Sequence, residues 1–247
     1  MIAKGTKSAY ISSILLKIPL KSRKRVKEIT LDMSNAMQLI CRNCFPNAKL
    51  VTDRFHVQQI VNEGVQHIRT NLRHDAIKAD NEKWKEARKN KTRFKPKIFS
   101  NGDTEKQLLA RSRYLLFKPK SKWSDSQIIR AGILFENYPT LKNAYNLSMH
   151  FRWCYENTRA KKTARSRFVG WEKKVKECYL KNEKLEPIMT SSDTVVRHKK
   201  NILNYFNNRS TNASAESFNA KLKGLRSVVR GVRDKKFHLY RVAMLYG

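Results

Sequence analysis

Two short segments near the start of the chain alternate apolar and polar residues, and an aspartate follows each of them. Residues 26–31 (Val-Lys-Glu-Ile-Thr-Leu) run into Asp32, and residues 48–52 (Ala-Lys-Leu-Val-Thr) run into Asp53. Alternation with a period of two is typical of β-strands. Apolar residues at helical spacing follow each aspartate. The pattern therefore predicts an α/β arrangement, with both acids at the carboxyl ends of strands, where sites gather in open sheets. Each aspartate could instead only cap the helix that follows it.

Helical spacing dominates the rest of the chain. A first helix is predicted at residues 10–18, where Pro19 ends it, and a basic loop is predicted at residues 21–25. Further helices are predicted at residues 33–45, 55–72, 108–117, 125–137, 141–151, 168–179 and 195–206. The polar, lysine-rich residues 73–107 have no apolar stripe, so they are predicted to form a loop or a mobile hairpin with a solvated run of charge.

Cys41 and Cys44 form a C-x-x-C pair inside the predicted helix at residues 33–45, on the same side as Met37 and Ile40. A zinc site would need a second pair of cysteines or histidines at matching spacing, and the sequence has none. We interpret the two cysteines as core thiols of a protein in a reducing compartment.

A polar loop turns into a helix close to the end of the chain. Asn212 or Ser214 can cap this helix, because a short side-chain oxygen can accept from the free amides of the first turn. Glu216 then lies in the first turn, and Asn219 and Lys223 fall on its face. An acid at this position can simply complement the helix dipole. It can also be a ligand, and the residue pattern alone leaves both possibilities open.

The charge of the chain points to an anionic partner. Its 247 residues include 53 Lys and Arg against 20 Asp and Glu, which gives a net charge of +33. Clustered cations favour nucleic acid, because binding releases the counterions of the phosphates. A membrane surface is a weaker candidate, and no apolar run has spanning length, so we expect a cytoplasmic, nucleoid-associated protein. The residues predicted to contact DNA are polar or basic and lie on or after the Glu216 helix: Asn219, Lys223, Arg226, Arg230, Arg233, Lys235 and Lys236.

Three blocks of sequence now form a consistent set. They are residues 26–34 (Val-Lys-Glu-Ile-Thr-Leu-Asp-Met-Ser), residues 45–57 (Phe-Pro-Asn-Ala-Lys-Leu-Val-Thr-Asp-Arg-Phe-His-Val) and residues 211–223 (Thr-Asn-Ala-Ser-Ala-Glu-Ser-Phe-Asn-Ala-Lys-Leu-Lys). In residue types, order and separation they resemble the DDE transposases of bacterial insertion sequences, in the ISL-three group. The resemblance covers essentially the whole chain, including the Tyr-Pro-x-Leu-x-x-Ala-Tyr segment at residues 138–145.

The resemblance implies a fold, a reaction and a set of site residues. The expected fold is α/β, mainly helical: a partial RNase H-like fold with a helical insertion before the last catalytic helix. The expected reaction is Mg²⁺-dependent phosphodiester cleavage and strand transfer at transposon ends, with two metal ions about 4 Å apart. Asp32 and Glu216 would be metal ligands, because magnesium prefers hard oxygen donors. Asp53 and His56 match the Asp-Arg-Phe-His signature and are further catalytic candidates, with Asp53 ranked below Asp32 as the second aspartate.

The sequence also departs from the family pattern. The family's first aspartate lies on an earlier strand, and the residues before Asp32 include one acid, Glu28, within the predicted strand. We therefore expect an N-terminally truncated transposase that binds DNA with steep salt dependence but does not cut it alone. The resemblance implies self-association only for the intact enzyme.

The predicted organisation has three parts. They are a partial RNase H-like core at residues 1–56, a helical insertion at residues 57–206, and a segment at residues 207–247 with the Glu216 helix and basic residues. The competing hypothesis is a non-catalytic, basic nucleic-acid-binding protein, in which the acids only cap helices. Dependence on metal ions separates the two hypotheses.

Overall fold

The computed structural model describes residue 5 and residues 7–246. This part of the chain is mainly helical and contains a two-stranded parallel sheet. The strands are β1 (Glu28–Leu31) and β2 (Lys49–Thr52). The helices are α1 (Ser8–Leu15), α2 (Leu20–Arg25), α3 (Asn35–Cys44), α4 (Arg54–Lys89), α5 (Glu105–Arg111), α6 (Asp125–Asn137), α7 (Pro139–Glu156), α8 (Lys161–Lys181), α9 (Glu186–Arg197), α10 (Lys199–Asn208), α11 (Ala213–Val228) and α12 (Lys235–Tyr246). The mainly helical α/β class predicted from the sequence is confirmed.

The chain divides into two compact units. The first contains the described residues of Met1–His56 and Lys200–Gly247, and the second is Val57–Lys199. The sheet, α1, α2, α3, α11 and α12 therefore belong to the first unit, together with nearly all of α10.

The core of the first unit forms where α3 covers the sheet. Leu31, Cys41 and Leu50 are buried together, and Ile29 packs against them. Cys44 is fully buried at the end of α3, and α1 packs on this helix. Burial in apolar surroundings raises the pKa of the Cys41 thiol, and the neighbouring Cys44 raises it further.

Two details of this unit differ from the sequence-based predictions. Residues 20–25 form α2 rather than a loop, because Arg23 donates from Nη1 to the carbonyl of Cys44 (2.7 Å) and from Nε to the carbonyl of Ile18 (2.9 Å). Met37, predicted on the buried side of α3, is 46% exposed, and Gln38 is buried in its place.

Two asparagine side chains of helix α10 form hydrogen bonds to the sheet. Asn204 donates to the carbonyl of Leu50 (2.9 Å), and Asn208 donates to Glu28 Oε2 (2.9 Å). The prediction of one helix over residues 195–206 is wrong, because α9 ends at Arg197 and α10 begins at Lys199.

The second unit is a helical body with an aromatic core. Phe151 of α7 packs against Phe168 and Trp171 of α8, with ring centroids 5.4 and 4.5 Å apart. The indole of Trp171 donates to the carbonyl of Leu147 (2.9 Å), which satisfies its one polar atom. The predicted stripe on α7, from Leu141 to Phe151, is buried as expected.

Helix α4 is longer than the sequence predicts. It continues to Lys89, so the prediction of loop or hairpin is wrong for residues 73–89. The last buried residue of α4 is Ala76, and the turns after it carry polar residues that give no apolar periodicity. The predicted helix at residues 108–117 is instead α5, ending at Arg111, and a 3₁₀ turn at Leu115–Phe117.

Candidate active site at the carboxyl edge of the sheet

The register of the sheet brings the two predicted aspartates to the same end of neighbouring strands. The strands are parallel, with Leu31 opposite Thr52, and the amide of Asp53 donates to the carbonyl of Leu31 (3.0 Å). Asp32 and Asp53 therefore follow neighbouring strands at the same edge, as the alternation in the sequence predicts.

Asp32 is exposed at this edge. Its Oδ1 accepts from the amide of Ser34 (2.9 Å). The cap of α3 is Ser34, whose hydroxyl oxygen accepts from the amide of Met37 (3.4 Å). Among the described residues no hydrogen bond is made to the other oxygen of Asp32, so this exposed carboxylate can accept a further ligand.

Asp53 has a different environment, because it is only 3% exposed. Its Oδ1 accepts from the amide of Phe55 (2.7 Å) at the start of α4, and its Oδ2 accepts from the amide of Asn212 (2.6 Å) just before α11. Both oxygens are thus engaged by backbone amides. One carboxylate connects the end of β2, the first turn of α4 and the entrance of α11.

Glu216 lies in the first turn of α11 and is exposed. The helix begins at Ala213, but neither Asn212 nor Ser214 caps it through its side chain, so that prediction is wrong. Asp53 engages the backbone of Asn212 instead. The contact fixes the chain four residues before Glu216, and so fixes the Glu216 helix to the carboxyl edge of the sheet.

The fourth predicted site residue is His56. It lies in the first turn of α4, half-buried, with its ring edge-on to exposed Phe55 at a centroid distance of 5.8 Å. It follows Asp53 by three residues, so both belong to the same turn at the end of β2.

Metal-binding groups are sparse in this geometry. Among residue 5 and residues 7–246, no three His, Cys, Asp or Glu side chains are close enough together to hold a metal ion. Asp32 and Glu216 offer exposed carboxylate oxygens, whereas those of Asp53 already accept from amides. The donors are hard oxygens, which suit magnesium, and magnesium is often held by one or two carboxylates together with water and substrate phosphates.

The polar and basic residues predicted to contact DNA are exposed along α11 and the segment after it. They are Asn219, Lys223, Arg226, Arg230, Arg233, Lys235 and Lys236. Arg230 has φ of 51° and Gly231 has φ of 111°, so the chain turns sharply between α11 and α12. In the part of the chain that the structure describes, no helix has the length and apolarity to span a bilayer.

The contact between Asp53 and Asn212 could not be predicted from the residue pattern. Both residues lie in the blocks that resemble the transposases, but they are separated by 159 positions, and neither type predicts a partner at that distance. The available signal was indirect: an aspartate that directly follows a predicted strand.

A family model described as a transposase, that of the DDE transposases of the ISL-three group, matches residues 1–243. The chain therefore belongs to this transposase family, which supports a role in DNA transposition. The resemblance in the three sequence blocks is thereby confirmed. No significant match is found among curated proteins or among solved structures.

Proposed function

We propose that this chain acts in Mg²⁺-dependent phosphodiester cleavage and strand transfer at transposon ends, through a site at the carboxyl edge of the sheet. The observation that supports this most is the hydrogen bond from the amide of Asn212 to Asp53 (2.6 Å). It joins the segment that leads to Glu216 to the strand edge that also bears Asp32. Parallel strands with an acid at the edge, and a helix bearing the third acid, are the features expected of an RNase H-like core.

Asp32 and Glu216 are the proposed metal ligands. Both carboxylates are exposed, and both are of the donor type that magnesium prefers. A bound magnesium ion would supply Lewis acidity at the phosphodiester. Further ligands would come from water and from the phosphates of DNA, which suits a site with few protein donors.

Asp53 is proposed as a positioning residue. It is buried, and both its oxygens accept from backbone amides. Its role is to hold the entrance of α11 at the strand edge, so that Glu216 is presented there. His56, half-buried in the next turn, is proposed to orient groups at the same edge.

The basic residues after Glu216 are proposed to bind the DNA backbone. Lys223 shares a helical face with Glu216, and Arg226 and Arg230 continue in the same direction along the chain. Phosphates bound here would contact residues that follow the proposed metal ligand Glu216 closely in the sequence. Their neutralisation releases counterions, so affinity should fall steeply with salt.

The proposed ligands are tested by measuring Mn²⁺ binding to the chain in complex with DNA, from the loss of the free-ion signal in electron paramagnetic resonance. Asp32→Asn and Glu216→Gln keep the side-chain shapes but remove a negative charge each. We expect each change to weaken Mn²⁺ binding about tenfold or more, because a charged oxygen ligand is replaced by a weaker neutral donor. Ion binding is measured rather than cleavage, so the result is independent of whether the chain cuts DNA alone.

The matched controls are Asp193→Asn and Glu82→Gln, since both positions are exposed acids on helices of the second unit. They should leave Mn²⁺ affinity unchanged within about twofold, as isolated surface charges are largely screened. Equal Mn²⁺ affinity for all four variants and the parent would contradict the site and favour a non-catalytic nucleic-acid-binding protein.

A further inference from the structure

Three arginines cluster where α4 meets the segment after α5, within the second unit. Arg69 and Arg73 are four residues apart on α4, so their side chains leave the same face. Gln66 connects Arg69 to Arg113: its Nε2 donates to the carbonyl of Arg113 (3.1 Å), and its Oε1 accepts from Arg69 Nε (2.7 Å). We refer to Arg69, Arg73 and Arg113 as the arginine cluster.

Arg69 has a structural role that accounts for its burial. It is 9% exposed, and its Nη1 donates to the carbonyl of Leu109 (2.9 Å) at the end of α5. Burial, followed by the positive charges of Arg113 and Arg73, lowers the pKa of its guanidinium from the ordinary value. The cluster is thus an uncompensated concentration of positive charge around a buried cation.

Arg73 and Arg113 lack such an explanation. Among the described residues, neither forms an ion pair or a side-chain hydrogen bond, and Arg73 Nε is buried without an acceptor. Arg113 is exposed and lies over the ring of exposed Tyr114, with its guanidinium carbon 5.5 Å from the ring centroid. Because no carboxylate in the described part of the chain pairs with Arg73 or Arg113, the charge of both guanidiniums is available to an anion from outside.

We propose that the arginine cluster binds two phosphates of the DNA backbone, one contacted by Arg73 and one by Arg113, with Arg69 holding the site together. A phosphate offers oxygen acceptors that match the planar fork of arginine, and its charge would offset the repulsion within the cluster. This inference rests on the DNA binding of the proposed function. It adds a contact in the helical unit, on a surface distinct from the residues that follow Glu216.

The test is the salt dependence of binding to a fluorescein-labelled DNA duplex, measured by anisotropy. Replacing both Arg73 and Arg113 by Ala should lower the slope of log affinity against log salt by about two, because each lost phosphate contact removes about one. Affinity at moderate salt should fall about tenfold or more. The control is Arg159→Ala with Arg165→Ala, two exposed arginines of the same unit, for which we expect a slope change below about one.

Arg73 is half-buried, and its replacement can disturb the fold. If thermal melting shows such a loss, the single variant Arg113→Ala at its exposed position decides the question, with an expected slope change of about one. A slope and affinity for the cluster variants equal to those of the control would overturn the proposal, while the DNA binding of the parent chain would still stand. Failure of the parent chain to bind DNA would overturn both the cluster and the DNA binding of the proposed function.

Discussion

Asp53 uses both of its oxygens on backbone amides that belong to different helices. Such charge-assisted hydrogen bonds are stronger than neutral ones, and burial at 3% exposure protects them from water. The residue therefore stabilises the geometry of the proposed site through both of its oxygens.

Replacing Asp53 by Asn should destabilise the first unit by about 1–3 kcal/mol, because the amide NH₂ would face one of two donors and leave it unsatisfied. Urea unfolding measures this, and hydrogen exchange at Asn212 should speed up. The control is Asp234→Asn: there only Oδ1 is used, accepting from the amides of Lys236 (2.8 Å) and Phe237 (3.2 Å), so asparagine can replace it. Equal stability of the two variants would contradict the positioning role.

Asp103 stabilises the second unit in a comparable way. It is fully buried, and it accepts from Arg111 and from Arg130 Nε (3.0 Å). Asp103→Asn should destabilise the protein by about 1.5–3 kcal/mol, since both arginines lose a charged acceptor but are partly exposed to water. Asp80→Asn, which breaks a surface pair with Lys106 (3.5 Å), should cost less than about 1 kcal/mol. Urea unfolding in which both variants lose less than about 1 kcal/mol would contradict the assignment.

The same carboxylate makes stability depend on pH. Burial alone would raise the pKa of Asp103, but the hydrogen bonds and charges of Arg130 and Arg111 outweigh it and hold the pKa below the usual value. Its contribution is therefore complete above the ordinary pKa of 3.8 and is lost as pH falls below that value through the lower pKa of the folded state. Urea melts across this range should show an acid-induced loss that is smaller in Asp103→Asn.

At the scale of elements, the strands and the acids at their ends could be predicted, because alternation and a following helix leave a clear local signal. The extension of α4 to Lys89 could not be predicted, since no residue of this helix beyond Ala76 is buried and the polar turns resemble a loop. The hydrogen bond from the amide of Asn212 to Asp53 depends on tertiary structure, and no local pattern specifies it.

Helices α4 and α9 approach closely at Gly64. A Cβ there would lie 2.7 Å from the hydroxyl oxygen of Ser191 and 2.8 Å from the carbonyl oxygen of Pro187. We expect Gly64→Ala to destabilise the protein by about 1–3 kcal/mol through overpacking. Gly132→Ala in α6 is the control: no atom lies within 4 Å, so better helix propensity should stabilise it by about 0.5–1 kcal/mol. Thermal unfolding that moved both variants upward would show that α9 yields at this contact.

At the scale of the whole molecule, the net charge indicates the binding partner, whereas the proposed site indicates the chemistry. The net charge of +33 favours DNA as a partner and opposes compaction, but it does not distinguish a transposase from any other basic binding protein. The family match identifies the chain as a transposase. Binding of one metal ion by both Asp32 and Glu216 would separate metal-dependent catalysis from DNA binding alone.

The most direct test is a double-mutant cycle on Mn²⁺ affinity in the DNA complex, comparing Asp32→Asn, Glu216→Gln and the double variant. If both carboxylates bind the same ion, the double variant should lose clearly less affinity than the product of the two single losses, with a coupling of about 0.5–3 kcal/mol. Single losses that multiply within about twofold, or that are absent, would contradict a shared metal ion at the carboxyl edge of the sheet.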